Sequence, residues 1–289
     1  MEKGQTVLEQ ELIKQGVNKE DLERLRKFRF IDDDFMSKCF EDNIECTELV
    51  VRIVLNRDDL KIQQVHAQHQ IKNLQGRSII LDIYAIDEQG KLYNIEIQRA
   101  DKGADPKRAR YHSSVMDSNT LNAKQTYTEL PETYVIFITE NDVLKKNLPI
   151  YHIDRVIRET GEYFEDEAHI LYVNGAYQDE TSLGILMKDF FCTNPEDMHY
   201  QVLYERTRHF KETKEGVSTM CKMMEDMRNE AAKEATRKAN EEAERKAAKE
   251  RIELAKNLIE SHKLSLEEIA QYAKLTLEQV VELAKEIGD

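Results

Sequence analysis

The sequence predicts an α/β domain built on a mixed sheet and followed by a C-terminal helical extension. Between residues 44 and 139, hydrophobic patterns typical of helix and strand succeed one another in the order helix, three strands, helix, strand. Beyond about residue 215 the strong helix formers Ala, Glu, Lys and Arg dominate. We therefore predict four regions: an N-terminal helical segment (1–30), the α/β domain (31–200), a charged helical linker (201–260) and a small helical tail (261–289).

Each element follows from a local pattern. The first helix has one apolar face, and the second has a proline in its first turn. The predicted helices are Ile44–Leu55 and Pro106–Leu121. The strands are runs rich in β-branched and aromatic residues, although alternation is weak in the first of them. The predicted strands are Leu60–Ile71, Ser78–Ile86, Leu92–Arg99, Thr133–Thr139 and His169–Val173.

The tail pattern indicates two short amphipathic helices, with Ser265 and Thr276 as their N-caps. Such a pair could be a DNA-reading helix-turn-helix or a helical interaction tail. We expect these helices to be the element through which a homodimer forms.

Charge and composition exclude some classes of protein. The chain has 42 Lys and Arg against 56 Asp and Glu, a net charge of −14, which argues against a protein that coats DNA by bulk charge. A local basic patch remains compatible with DNA binding. No apolar run approaches the roughly 20 residues of a membrane span, and the four cysteines form no CxxC pair. We expect a cytoplasmic protein without a membrane partner.

Two carboxylates interrupt the apolar strands. Asp82 and Glu96 each lie inside a run of core residues, where an unpaired charge costs several kcal/mol. A three-residue hairpin loop, Glu88–Gly90, makes the numbers of paired residues add up to 178, so that Asp82 lies opposite Glu96 on one sheet face with Cβ atoms ~5 Å apart. A two-residue loop would place them on opposite faces. The alternative is an ordinary pair of surface acids.

Opposed carboxylates repel unless a cation lies between them, and oxygen ligands suit Mg²⁺ or Mn²⁺. Gln98 follows Glu96 on the same face and could orient a water molecule. Lys107, Arg108 and Arg110 begin the next helix, inside a segment with a local charge of +3. These residue types in this order predict a metal site beside a phosphate-binding helix. The basic cluster could instead be a solvated helix start, and Asp32–Asp34 is most simply a helix cap.

At four segments the sequence resembles the PD-(D/E)XK nuclease superfamily, and within it the nuclease family transposases, or recombination-promoting nucleases. The segments are DDDFMSKCF (32–40), LDIYAIDEQGKLYNIEIQ (81–98), KRARYHSS (107–114) and LPETYVIFITENDV (130–143). The resemblance implies a restriction-endonuclease-like αβββαβ core. It also implies that Asp82 and Glu96 hold Mg²⁺ (or Mn²⁺), with a further acid from the first helix, either Glu45 or Glu48, of which Glu48 is our candidate.

By the same resemblance, Gln98 stands where the superfamily often has lysine; Lys102 or Lys107 could replace that charge. The sequence therefore predicts a metal-dependent DNA endonuclease linked to recombination or transposition, with Asp82, Glu96 and Gln98 as catalytic residues. The alternative is a catalytically degenerate nuclease fold that binds DNA or a protein.

Overall fold

A six-stranded mixed sheet forms the centre of the computed structural model, which describes residues 6–73, 76–99 and 101–288, with the side chains of residues 101, 102 and 288 left out. The strand order is β1-β2-β3-β4-β6-β5. Strands β1, β2 and β3 are antiparallel neighbours, β3, β4 and β6 run parallel, and β5 is antiparallel to β6. The predicted α/β class, with its mixed sheet and C-terminal helical region, is confirmed.

The predicted elements are present with boundaries shifted by up to three residues. The strands are β1 Ile62–Ile71, β2 Ile79–Asp87, β3 Leu92–Gln98, β4 Thr133–Thr139, β5 Ile150–Ile153 and β6 Ala168–Asn174. The helices are α1 Val7–Lys14, α2 Lys19–Lys27, α3 Asp33–Phe40, α4 Ile44–Leu55, α5 Pro106–Ser118, α6 Ser182–Phe191, α7 Gln201–Glu212, α8 Lys214–Glu260, α9 Leu266–Ala273 and α10 Leu277–Gly288. Strand β5 and helix α6 are additions that the sequence patterns did not reveal, and α3 begins at the Asp32–Asp34 triplet that the sequence analysis interprets as a helix cap.

The hairpin between β2 and β3 fixes the register of the sheet. Gly90 adopts a left-handed φ of 81°, and its amide donates to the Asp87 carbonyl at 3.0 Å. Asp87 lies opposite Lys91, whose backbone amide donates to the Asp87 carboxylate at 2.9 Å. The four pairs that follow run from Ile86 with Leu92 to Ile83 with Ile95, and their numbers add up to 178. The predicted three-residue loop and its register are confirmed.

Helices cover both faces of the sheet. Helix α5 lies on one face, where Leu92, Val135 and Phe137 of the sheet pack with Ala109 and Met116 of the helix. On the other face, α3, α4, α6 and α7 form a layer. Within that layer the buried ring of Phe30 lies between the rings of Phe35, Phe40 and Phe190. This aromatic cluster holds the segment before α3 in place, and α3 in turn carries the Asp32–Asp34 triplet.

The chain divides into two compact units, Met1–Lys222 and Met223–Asp289. In the second unit, Ala255 and Ile259 of α8 form a small core with residues of α9 and α10. Ser265 and Thr276 accept hydrogen bonds from the backbone amides three residues later, which confirms both predicted N-caps. The predicted limits at residues 30, 200 and 260, and the homodimer through these helices, stay predictions.

Candidate active site

The backbone ladder between β2 and β3 ends next to Asp82 and Glu96, where hydrogen bonds to their carboxylates replace it. The Asp82 amide donates to Glu96 Oε1 at 3.3 Å, and the Ile97 amide donates to Asp82 Oδ2 at 3.0 Å. Each carboxylate therefore binds the backbone of the opposite strand. These two contacts connect the residues, whereas the registered pairs end at Ile83 with Ile95, so the direct pairing of Asp82 with Glu96 stays a prediction.

The neighbouring strand bends at the same level. Gln68 of β1 has a φ of 51°, and it is skipped between the pairs Ala67–Ile83 and His69–Leu81. The pairs on either side of Gln68 keep the same register, so the irregularity is a gap in the ladder and not an extra residue. Here it lies across from Asp82, so the sheet is locally distorted at the acid pair.

Burial makes the acid pair electrostatically unusual. It raises the pKa of the Asp82 carboxyl to about 7, and the negative charge of Glu96 adds to the rise. The hydrogen bond from Ile97 lowers that pKa only in part. A carboxyl that is half-protonated near neutral pH lacks a sufficient counter-charge. A cation at this position would supply it.

Two side chains contact the fully buried Glu96 carboxylate, and a third contacts one of them. Arg108 Nη2 contacts Oε2 at 2.6 Å, and His112 Nδ1 lies 3.4 Å from Oε1. Asn94 Nδ2 lies 3.2 Å from the same His112 nitrogen, while its buried Oδ1 has no hydrogen-bond partner among the described residues. Arg108 Nε also contacts His112 Nε2 at 3.4 Å, so the two residues share one helix face, as their spacing predicts. Glu96 is thus bound to α5.

Gln98 lies beside this group. Its Oε1 accepts a hydrogen bond from Arg108 Nη1 at 3.3 Å, and the same Nη1 donates to the Gly103 carbonyl at 2.9 Å. None of the described contacts uses the amide nitrogen of Gln98. The side chain can therefore donate a hydrogen bond, but it brings no positive charge. Of the two lysines that could replace that charge, Lys107 is exposed and the side chain of Lys102 lies outside the described residues.

Gly103→Ala is expected to displace Gln98. A Cβ at Gly103 would lie 1.8 Å from Gln98 Oε1 and 2.8 Å from its Cδ, so the amide must move and lose its contact with Arg108. Because the clashing atoms are the end of a flexible side chain, we expect the free energy of unfolding to fall by about 1 kcal/mol in urea denaturation, the value of the lost hydrogen bond to Arg108. In a Gln98→Ala background the clashing atoms are gone, so the same substitution should cost less than about 0.5 kcal/mol. Equal costs in both backgrounds would contradict this packing.

The sequence analysis missed Asp33. It lies in the first turn of α3, and its negative charge is close enough to raise the pKa of Asp82. Its carboxylate has no hydrogen-bond or ion-pair partner among the described residues, whereas Asp32 contacts Arg29 and Arg99. Asp32 is the N-cap residue, but its side chain makes no capping hydrogen bond. The triplet therefore both begins α3 and offers a carboxylate, Asp33, that no hydrogen bond or ion pair among the described residues uses. The family resemblance includes this segment, residues 32–40, and could have pointed to Asp33.

Glu48 lies elsewhere, which corrects the expectation that it joins the pair. Its carboxylate binds three groups near the start of β1: the side chains of Arg52 at 2.7 Å and Lys61 at 3.3 Å, and the Ile62 amide at 3.0 Å. Ile62 pairs with Asp87, which is five residues, or roughly 16 Å of strand, from Asp82. Glu45 is exposed in the first turn of α4, and no contact joins it to the acid pair in the described part of the chain.

A cleft of about 1160 Å³ opens between the start of β2 and α5. Arg108 and His112, which contact Glu96, also line it, together with Arg77, Lys107 and Arg110. No carboxylate belongs to its described lining, and Lys107 and Arg110 have no acidic partner among the described residues. The positive charge is thus available to an anion. Arg108 differs from the prediction: its guanidinium binds Glu96 rather than standing free for a phosphate.

The donor set fits a hard divalent cation in part. Among the described residues, no three His, Cys, Asp or Glu side chains form a ready-made metal cluster. Mg²⁺, however, is commonly bound by one or two carboxylates, with water and substrate oxygens completing its shell. Asp82 Oδ1 and the Asp33 carboxylate have no hydrogen-bond partner among the described residues, and Glu96 Oε1 accepts the Asp82 backbone amide. These three oxygen donors suit Mg²⁺ or Mn²⁺ better than a softer metal.

Comparison with protein families agrees with this geometry. A family model described as PD-(D/E)XK nuclease family transposase matches residues 54–257, more than half of the chain. The chain belongs to this family. The matched region includes the Asp82–Glu96 hairpin, Gln98 and all of α5. No curated protein and no solved structure gives a significant match.

Membership of the PD-(D/E)XK nuclease family transposases supports a nuclease or transposition-related role, and it implies DNA as the substrate class. Members of the PD-(D/E)XK superfamily generally use divalent metals. In the described part of this family member, no helix combines the length and the apolar character that crossing a bilayer requires.

Proposed function

We propose that the chain is a metal-dependent DNA endonuclease that hydrolyses phosphodiester bonds, using Mg²⁺ or Mn²⁺, in recombination or transposition. The observation that carries the proposal is the half-buried Asp82 and the fully buried Glu96, each of whose carboxylates accepts a backbone amide of the opposite strand, beside a cleft lined by cations. Two carboxylates held together away from water destabilise the fold, and a divalent cation bound between them would offset that cost.

Asp82 and Glu96 would hold the ion, with the unpaired Asp33 as a further ligand in place of Glu48. When bound, such an ion stabilises the charge that develops on an attacked phosphodiester and lowers the pKa of a nearby water. Gln98 would orient the attacking water through its free amide nitrogen. Arg77, Lys107 and Arg110 would hold the phosphates of the strand, because they line the cleft without carboxylate partners.

A second candidate is a degenerate nuclease fold that binds DNA without cutting it. The ion pair between Arg108 and Glu96 favours this candidate, since it satisfies one acid without a metal. Glutamine at position 98 also favours this candidate, because it lacks the positive charge of the lysine that the superfamily often has there. The unpaired Asp33 and the raised pKa of Asp82 oppose it, because both leave negative charge unbalanced.

Nicking of supercoiled plasmid tests the two candidates. We expect the wild-type chain to nick plasmid with Mg²⁺ or Mn²⁺ and to stop in EDTA. Glu96→Gln should lose this activity, whereas the matched control Glu48→Gln, on the same fold but away from the pair, should keep it. Retained nicking in Glu96→Gln would refute the proposed site. An inert wild type that still shifts DNA on a gel would support the binding module.

A further inference from the structure

Arg108 occupies the oxygen of Glu96 that an ion would need. Its Nη2 binds Oε2 at 2.6 Å, while Oε1 accepts the Asp82 amide and lies near His112. Both oxygens of the carboxylate are therefore in use in the structure. An ion that bound Glu96 would have to share or take the place of one of these partners.

The guanidinium of Arg108 can leave Glu96 without losing its position on α5. Its Nη1 binds the Gly103 carbonyl at 2.9 Å and Gln98 Oε1 at 3.3 Å, and its central carbon lies 5.9 Å from the centre of the Phe137 ring. The side chain is 36% exposed and lines the cleft. Release from Glu96 therefore breaks one ion pair and leaves Nη2 without a carboxylate partner on the wall of the cleft.

We propose that a divalent ion and the Arg108 guanidinium compete for Glu96, so that ion binding frees Arg108 to bind a phosphate of DNA. The inference rests on the proposed function and deepens it. A dication and a guanidinium held within a few ångströms of one oxygen repel each other, and the partly buried site screens this repulsion poorly. In the ion-free protein, Arg108 neutralises the charge of Glu96. In the ion-bound protein, Arg108 binds a phosphate of DNA.

Competition at Glu96 has a thermodynamic consequence. If the ion frees Arg108 for DNA, then the ion raises the affinity for DNA, and DNA raises the affinity for the ion by the same factor. The chain would bind DNA tightly only when it carries the ion needed for cleavage. Lys107 and Arg110 have no carboxylate to exchange, so their contribution to DNA binding should not depend on the ion.

Electron paramagnetic resonance of the free ion measures the binding of Mn²⁺. This measurement distinguishes competition, in which Arg108 weakens ion binding, from a role in which Arg108 helps to hold the ion site. The variants are Arg108→Gln and the control Arg110→Gln, which removes a cation from the same helix and cleft wall without touching Glu96. We expect Arg108→Gln to bind Mn²⁺ at least about fivefold more tightly than the wild type, and Arg110→Gln to stay within about twofold. Equal or weaker binding in Arg108→Gln would overturn the inference.

DNA binding gives the second readout. With Ca²⁺ as a divalent ion expected to support binding without cleavage, fluorescence anisotropy of a labelled duplex should show tighter binding by the wild type. Arg108→Gln should lose this gain, whereas Arg110→Gln should bind more weakly with and without Ca²⁺ while keeping the gain. An undiminished gain in Arg108→Gln would contradict the exchange.

The two proposals fail in different ways. If the wild type binds no Mn²⁺, the metal site and the exchange are both refuted. If Mn²⁺ binding is lost in Asp82→Asn but unchanged in Arg108→Gln, the metal site stands and the exchange is refuted.

Nuclear magnetic resonance gives a third readout. The Arg108 Nε–H resonance, assigned with the Arg108→Gln variant, should shift during a Mg²⁺ titration along the same binding curve as the ion.

Discussion

Asp82→Asn should reduce plasmid nicking by at least about a hundredfold and, without metal, make the protein more stable at pH 8. The loss of activity follows because an amide is a poor ligand for Mg²⁺, and the charge stabilisation that an ion supplies amounts to several kcal/mol. The gain in stability follows because asparagine removes a buried charge that Glu96 repels. Its side-chain oxygen can still accept the hydrogen bond from Ile97.

The gain should depend on pH in a defined direction. The pKa of Asp82 rises from 3.8 in the unfolded chain to about 7 in the folded protein. Between these values the folded protein holds a proton that the unfolded chain releases, so wild-type stability falls as the pH rises toward 7. We expect Asp82→Asn to be more stable by about 2–4 kcal/mol at pH 8, with a smaller gain at pH 5.

Urea denaturation in EDTA at the two pH values measures this difference, and the wild type at pH 5 serves as the internal reference. An equal gain at both pH values would show that Asp82 does not titrate between them. A less stable variant at pH 8 would show that the carboxylate contributes more through its hydrogen bonds than it costs through burial and repulsion.

Phe30→Ala is expected to lower the free energy of unfolding of the first unit by about 3–5 kcal/mol. The Phe30 ring is fully buried, with ring centroids of Phe35, Phe40 and Phe190 at 5.7, 5.8 and 5.6 Å. Removing it leaves a cavity among three aromatic rings, and this cavity cannot collapse without moving α3. The midpoint of urea denaturation should fall while the slope stays constant.

Tyr127→Ala is the matched control, since this aromatic side chain is 87% exposed and should cost less than about 0.5 kcal/mol. A loss below about 1 kcal/mol in Phe30→Ala would mean that the cluster repacks. Because Phe30 precedes Asp33 by three residues, nicking by the folded fraction of Phe30→Ala also reports whether this core positions the acid.

Much of the secondary structure can be predicted from short local sequence patterns. Asp87 and Gly90 define the hairpin, and with it the register that places Asp82 and Glu96 together. Pro106 marks the start of α5, and Ser265 and Thr276 mark the tail helices. These features depend on backbone preferences and capping within a few residues, which is why they can be predicted from the sequence.

The remaining parts depend on packing between distant segments. Helix α3, which carries Asp33, is held by the packing of its aromatic rings against Phe190 from a distant segment, and no spacing rule shows this. Glu48 was the expected ligand because the family resemblance implies a further acid from the first helix, but its carboxylate binds the Ile62 amide at the start of β1. The ion pair between Arg108 and Glu96 joins a helix and a strand whose relative rotation only the folded sheet determines.

The bond between the Ile97 amide and Asp82 Oδ2 gives the site a built-in reporter. A backbone amide held by a carboxylate changes its proton chemical shift and its hydrogen-exchange rate when that carboxylate is protonated or turns toward an ion. Ile97 is fully buried near the end of β3, so few other events should disturb it. The state of the candidate active site can therefore be followed through one amide signal, with no substrate present.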